Sequence, residues 1–121
     1  MAKTVLIVED NPLNLKLMRD LLEAQGVRTA QTEDGARVVE LARALKPDLI
    51  LMDVQLPGVS GLDLTRAIRQ DPELAATPII AVTALALRGD EERVLEAGCN
   101  AYIAKPISIK KFLEQVAKFL S

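Results

Sequence analysis

Three short stretches of the chain are apolar at every position, and they constrain the fold more than any other feature. They are Val5–Val8, Leu49–Met52 and Ile79–Val82. A strand that is apolar on both faces belongs in the interior of a parallel sheet with helices covering each side. Two less uniformly apolar segments, Val27–Thr32 and Ala101–Ala104, fit strands nearer the edges. The sequence therefore predicts a parallel sheet of five strands.

Helical patterns fill the gaps between these strands and follow the last one. Each pattern has a recognisable start, stop or apolar stripe. The predicted helices run from Asn11-Pro12 to Gly26, over the repeat Val38–Leu45 before Pro47, from Ser60 to Gln70, from Asp90 to Ala97, and over Ile109–Leu120 after a Ser108 cap. Five strands alternating with five helices predict an α/β fold with a doubly wound parallel sheet and right-handed crossovers.

Composition excludes several classes of function. The 121 residues fit one domain over residues 1–121, and a net charge of −2 with one Tyr and two Phe argues against nucleic-acid binding. The chain has no histidine, and its single cysteine, Cys99, excludes an internal disulfide and a multi-cysteine zinc site; it is interpreted as a small core or near-core residue, with a redox role as the alternative. No apolar run is long enough to insert in a membrane, and no signal peptide precedes the first strand, so a cytoplasmic protein is expected.

Chemically active side chains follow four of the predicted strands. Glu9-Asp10 follows the first strand, Asp53 the third, Thr83 the fourth and Lys105-Pro106 the fifth. In doubly wound sheets, ligands bind beyond the carboxyl ends of the strands, so these side chains are expected to converge. Clustered carboxylates repel one another and favour a hard cation such as Mg²⁺. Alone, Glu9-Asp10 has an alternative interpretation as an acidic pair beside a helix amino terminus.

This set of residues resembles the signature of response-regulator receiver domains, the CheY-like fold. The resemblance spans the whole chain, and its most specific part is the segment 51–62, with Asp53, Pro57-Gly58 and Ser60-Gly61. Segments 11–14, 20–26 and 89–93 are similar to the small stand-alone cell-cycle regulators of the DivK type. The resemblance implies a flavodoxin-like strand order of 2-1-3-4-5.

The resemblance also implies a role for each residue at the strand ends. Asp53 would be the phosphoacceptor, Lys105 would pair with a phosphoryl oxygen, and Thr83 would donate its hydroxyl to the phosphoryl group. Mg²⁺ would be bound by Asp10, by Asp53, by the backbone carbonyl of Gln55, and by Glu9 through a water. Ala84 would leave space for the donor's phosphate, and the Lys105-Pro106 bond would be cis. Individually, Thr83 could be an ordinary strand residue and Lys105 a solvated surface charge.

The implied protein is a single-domain response regulator that accepts its phosphoryl group from a histidine kinase or a histidine phosphotransferase. Thr83 is predicted to move toward the phosphoryl group while Tyr102 swings inward, although Tyr102 could simply pack on an edge strand. A downstream protein would bind the face formed by the fourth helix, fifth strand and fifth helix, including Leu87, Arg88, Val94 and Tyr102. Such a protein is a signalling component and not an enzyme with a turnover substrate.

Two further predictions concern the phosphoryl donor and the lifetime of the product. The first helix carries six apolar residues, more than one face can bury, so Leu13, Asn14 and Leu17 are predicted to dock a helical donor together with Pro106-Ile107. A broadly buried helix is the alternative. In the family, the positions of Gln55 and Leu85 tune dephosphorylation. Because Leu85 cannot orient an attacking water, a fairly long-lived phosphoryl state is predicted.

Three other functions compete with this interpretation. A phosphatase of the haloacid dehalogenase type also uses a strand-end aspartate with Mg²⁺, but it needs an acid two residues later, where this chain has Gln55. A flavin-binding module needs a phosphate-binding loop after the first strand and more aromatic residues. A scaffold receiver that no longer accepts phosphate is disfavoured by the intact Asp10, Asp53, Thr83 and Lys105.

Overall fold

The computed structural model describes residues 2–84 and 90–120, and for residue 90 the backbone only. Five parallel strands form one sheet in the order β2-β1-β3-β4-β5, as predicted. Their bounds are Thr4–Val8 (β1), Arg28–Thr32 (β2), Leu49–Asp53 (β3), Ile79–Thr83 (β4) and Ala101–Ala104 (β5). The predicted second strand began one residue earlier, at Val27. Strand order reverses between β1 and β3, which is where a doubly wound sheet opens a cleft for ligands.

The five predicted helices are all present. They span Pro12–Ala24 (α1), Val38–Leu45 (α2), Gly61–Gln70 (α3), Asp90–Ala97 (α4) and Ile109–Leu120 (α5). Asn11 caps α1 by accepting hydrogen bonds from the N–H groups of Leu13 and Asn14, and Ser60 caps α3 by accepting one from Leu62. Within the described residues, no helix combines the length and apolar character needed to cross a membrane.

Alternating strand residues divide the core into two layers. Leu6, Val8, Ile50 and Met52 face one side, where α2, α3 and α4 cover them, and Cys99 is buried there as predicted. Val5, Ile7, Leu49 and Leu51 face the other side, beneath α1 and α5. Burial of β1, β3 and β4 on both faces explains their uninterrupted apolar sequences. It also holds the carboxyl ends of these strands in fixed register.

Two short elements were not predicted. A turn of 3-10 helix at Gly35–Arg37 precedes α2, and a two-stranded hairpin pairs Gln55–Leu56 with Val59–Ser60 around Gly58. The hairpin directly follows Asp53 and leads into α3, so its backbone forms one wall of the strand-end cleft. The sequence marks the Pro57-Gly58 turn, but two-residue strands are too short for a periodic pattern.

Gly61, the first residue of α3, packs against the backbone of the loop after β3. A Cβ at this position would lie 2.1 Å from the carbonyl oxygen of Asp53, and backbone atoms cannot yield as a flexible side chain can. Gly26 differs, because a Cβ there meets no atom within 4 Å and only its positive φ of 78° disfavours a side chain.

Gly61→Ala is therefore expected to lower the free energy of unfolding by about 2–4 kcal/mol, since the loop after β3 must move. Gly26→Ala is the matched control, with an expected loss of about 1 kcal/mol from the left-handed backbone alone. Urea unfolding followed by circular dichroism measures both. Equal losses in the two variants would contradict the close approach of Gly61 to Asp53.

Candidate functional site

The four strand ends that the sequence singled out meet at one edge of the sheet. Glu9 and Asp10 follow β1, Asp53 ends β3, Thr83 ends β4, and Lys105 follows β5. Backbone hydrogen bonds extend the strand pairing into these ends: the N–H of Glu9 donates to Thr32 O over 3.1 Å, and that of Lys105 to Thr83 O over 2.7 Å. The sheet itself therefore fixes where these side chains start.

Three carboxylates lie together in this cleft. Glu9, Asp10 and Asp53 each place an oxygen within 4.8 Å of the other two. Glu9 is fully buried and Asp53 is 2% exposed, while Asp10 is partly buried. Negative charges that are close together and shielded from water raise one another's free energy, so this cluster requires a compensating cation.

Asp53 is perturbed by these surroundings. Burial and the charge of Glu9 raise the pKa of Asp53 to about 6, against a lowering influence from a backbone hydrogen bond and from Lys105. The hydrogen bond runs from the N–H of Gln55 to Asp53 Oδ1 over 2.9 Å. It orients the carboxylate, and sequence reasoning did not find it because it depends on the local path of the hairpin.

Lys105 reaches back into the cleft across a cis Lys105-Pro106 peptide bond, as predicted. Its Nζ lies 2.9 Å from Glu9 Oε1 and 3.4 Å from Asp53 Oδ2. Burial alone would lower the pKa of Lys105, but the hydrogen bond to Glu9 and the charge of Asp53 outweigh it, so the pKa is raised. One ammonium group thus neutralises part of a cluster of three acids.

The remaining charge in the cleft suits a metal ion. Glu9 Oε1 accepts hydrogen bonds from Lys105 and from the N–H of Asn11, at 2.9 and 3.3 Å. The other oxygen, Oε2, is buried without a hydrogen-bond partner among residues 2–84 and 90–120. A buried acceptor without a hydrogen-bond donor raises the free energy of the folded state. A water molecule on a hydrated hard cation would supply the donor. The carboxylate cluster therefore has both the ligand type and the unmet charge of a magnesium site.

The predicted switch residues, Thr83 and Tyr102, lie on the neighbouring strands β4 and β5. Thr83 is 1% exposed and lines a cavity of about 200 Å³ together with Gln55 and Arg93. Tyr102 is partly buried and packs against the core layer beneath α2, α3 and α4. Val94 on α4 is buried, whereas Leu85, Leu87 and Arg88 lie outside the described residues.

The predicted donor-docking residues lie on the surface near the same edge. Leu13 is 79% exposed, and Asn14 and Leu17 are partly buried. Pro106 is exposed and Ile107 is partly buried. The first helix is therefore not buried on all sides, and its first turn presents an unusually exposed leucine beside the cleft.

The raised pKa of Asp53 predicts that this carboxylate destabilises the metal-free protein when ionised. In EDTA at pH 7, Asp53→Asn is expected to have a free energy of unfolding about 1–2 kcal/mol larger than that of the wild type, after allowance for screening by water in the cleft. Urea unfolding measures this difference. The difference should vanish below pH 3.8, where the unfolded carboxyl is also protonated, and reach its full size above about pH 6. Asp63→Asn, at an exposed position on α3, is the control; a difference that grows toward low pH would contradict the prediction.

Curated relatives match this chain over nearly its whole length. It is 55% identical over 120 residues to the polar-differentiation response regulator DivK of Brucella anthropi, covering 99% of this chain and 98% of the relative. The DivK of Brucella ovis matches with the same identity and coverage. The resemblance to stand-alone DivK-type regulators is thereby confirmed.

Solved structures give the same result. The receiver domain of a sensor histidine kinase from Pseudomonas aeruginosa, which holds a magnesium ion in its active-site cleft, is 38% identical with a TM-score of 0.89, and the match covers 98% of both chains. A response regulator from Chloroflexus aurantiacus is 28% identical with a TM-score of 0.94 over 99% of this chain and 98% of that one. The family model for the response regulator receiver domain matches residues 5–117, and this chain therefore belongs to the response-regulator receiver family.

Proposed function

We propose that this chain is a single-domain response regulator of a two-component phosphorelay, with one receiver domain over residues 1–121 and Asp53 as its phosphoacceptor. The observation that carries the proposal is the meeting of Asp53 with Glu9, Asp10 and Lys105 at the carboxyl edge of the sheet. A buried aspartate held between an acidic cluster and a lysine is the arrangement that acyl-phosphate formation requires.

The transfer is a displacement at phosphorus. An oxygen of the Asp53 carboxylate forms the new bond to phosphorus, while the bond from phosphorus to the donor's imidazole nitrogen breaks and its electron pair stays on that nitrogen. Lys105 Nζ is already 3.4 Å from Asp53 Oδ2, so a small movement lets it pair with a phosphoryl oxygen. The Gln55 N–H holds the other carboxylate oxygen, which leaves the carboxylate in a defined orientation.

Mg²⁺ is the cofactor that this cleft would take. Asp10 and Asp53 would bind it directly, with the Gln55 backbone carbonyl, and Glu9 would act through a water. When bound, the ion would offset charge on the phosphoryl oxygens. Glu9 Oε2 has no hydrogen-bond partner in the described part of the chain, and this supports the water-mediated role, because a metal-bound water is a hydrogen-bond donor.

Signalling would follow from the new charge at Asp53. The Thr83 hydroxyl would bind the phosphoryl group, and Tyr102 would turn inward against the core layer it already touches. The face of α4, β5 and α5 would then bind a downstream protein. Val94 and Tyr102 are its described members, and Leu87 and Arg88 belong to it by sequence. The protein would act in the cytoplasm without direct nucleic-acid binding or membrane insertion, and it would have no turnover substrate.

The competing functions fit the cleft less well. A haloacid dehalogenase phosphatase would need an acid where the exposed Gln55 lies. A scaffold receiver would have no use for a lysine held against two buried carboxylates. The phosphate-accepting function uses each charged group that the strand ends bring together.

Incubation with acetyl phosphate and Mg²⁺ tests the phosphoacceptor. Intact-mass spectrometry is expected to show the addition of one phosphoryl group to the wild type, none to Asp53→Ala, and none when EDTA replaces Mg²⁺. Asp34→Ala is the matched control, since this exposed aspartate also follows a strand yet lies outside the carboxylate cluster. Equal labelling of wild type and Asp53→Ala would refute Asp53 as the acceptor.

Docking of the donor through α1 is tested separately. With a phosphorylated histidine phosphotransferase that labels the wild type, Leu13→Asp is expected to slow transfer about tenfold, because an exposed apolar anchor is replaced by a charge. Labelling by acetyl phosphate should be unchanged, since that small donor needs no helix contact. Leu45→Asp, at an exposed leucine of α2, is the control, and equal transfer rates for both variants would count against docking at Leu13.

A further inference from the structure

The guanidinium of Arg69 connects three segments at the edge of the sheet opposite the carboxylate cluster. Arg69 lies in the last turn of α3. Its Nε donates to Gly98 O over 2.9 Å and its Nη2 to Asn100 Oδ1 over 2.8 Å, both in the turn between α4 and β5. Its Nη1 donates to Thr77 O over 2.7 Å and to Ala75 O over 3.2 Å, before β4. These contacts are called the Arg69 clasp below.

Asn100 extends the clasp into the sheet. Its Oδ1, besides accepting from Arg69, accepts a hydrogen bond of 2.9 Å from the N–H of Ile79, the first residue of β4. Its own N–H donates to Ile79 O over 2.7 Å. The turn after α4 is thereby fixed to α3 through Arg69 and to β4 through Asn100. Because Ile79 is fully buried in the sheet, this attachment is rigid.

The carboxyl end of helix α4 is held in place by several contacts. Among its described side chains, the buried ones are Val94 and Ala97, and the others are exposed, Leu95 and Glu96 included. The backbone closes the carboxyl end, where the N–H groups of Gly98 and Cys99 donate to Leu95 O and Val94 O. Burial, backbone closure and the clasp all act on the second half of α4, next to the amino edge of the sheet.

We propose that Arg69 is a positioning residue for signalling, whose clasp fixes the carboxyl end of α4 so that phosphorylation of Asp53 turns the helix about that end. The inference rests on the proposed function, which places the phosphoryl group at the opposite edge of the sheet. If one end of α4 is fixed, a small displacement near Thr83 becomes a rotation of the helix. That rotation changes the surface that α4 forms together with Tyr102. A helix free at both ends would accommodate the same displacement by sliding, and less of it would reach Tyr102.

Arg69 is well placed for this role because its loss should leave the fold intact. Its side chain is only partly buried, so water can reach carbonyl groups that it leaves. Arg69→Gln shortens the side chain and removes the fork that spans Gly98 and Thr77. Arg69→Lys keeps the charge and enough length to reach part of the clasp. Arg66→Gln is the matched control, since this exposed arginine pairs only locally with Asp63 among described residues.

The test uses Tyr102 as a spectroscopic probe, because the chain has one tyrosine and no tryptophan. Each protein is phosphorylated with acetyl phosphate and Mg²⁺, labelling is measured by intact mass, and tyrosine fluorescence is recorded before and after. Arg69→Gln is expected to label like the wild type but to show about half or less of the wild-type fluorescence change per phosphoryl group. The fluorescence change of Arg66→Gln should match that of the wild type, and that of Arg69→Lys should lie between those of the wild type and Arg69→Gln. Faster hydrogen exchange at Gly98 and Asn100 should confirm that the clasp is broken.

The outcomes separate this inference from the function on which it rests. A wild type that takes up no phosphoryl group contradicts the proposed function, whatever the variants do. The positioning role is overturned if the wild type is labelled and changes its fluorescence while Arg69→Gln, with its turn opened, shows the same fluorescence change. A variant that is less stable in urea yet keeps the full change has lost only a structural contact, and this also overturns the proposal.

Discussion

The pairing of one lysine with a buried acidic cluster is the interaction on which this structure depends. Lys105 neutralises part of the charge of Glu9, Asp10 and Asp53, and it does so from beyond the end of a different strand, β5. The surrounding fold keeps the remaining negative charge in the cleft. A site of this kind is poised to bind cations and to change when its charge changes.

The sheet can bear this electrostatic cost because its central strands are buried on both faces. Val8 directly precedes Glu9, and Met52 directly precedes Asp53. Both apolar side chains are almost fully buried. Removing the apolar residues behind the cleft would let the carboxylates separate or hydrate. Uninterrupted apolar strands and clustered acids at their carboxyl ends are therefore two parts of one arrangement, in which packing holds together groups that electrostatics alone would drive apart.

The strands, the helices and the convergent residues could be predicted because each leaves a periodic or positional signal in the sequence. Their positions alone predict that Asp53 and Lys105 meet, because both stand at carboxyl ends of strands in one parallel sheet. The Gln55 hydrogen bond to Asp53 and the approach of Gly61 to Asp53 O could not be derived in this way, because both depend on the path of a two-residue hairpin. Arg69 was missed for a similar reason: its partners are mostly backbone carbonyls, which carry no residue identity.

The two edges of the sheet differ in how well their polar groups are satisfied. At the carboxyl edge, Glu9 Oε2 lacks a partner among the described residues and the pKa of Asp53 is raised. At the amino edge, one guanidinium satisfies three carbonyls and an amide oxygen. An electrostatically strained edge responds to added charge, whereas a satisfied edge resists displacement. Under the proposed signalling role, a charge placed at Asp53 would act on helix α4, whose carboxyl end Arg69 already holds at the amino edge.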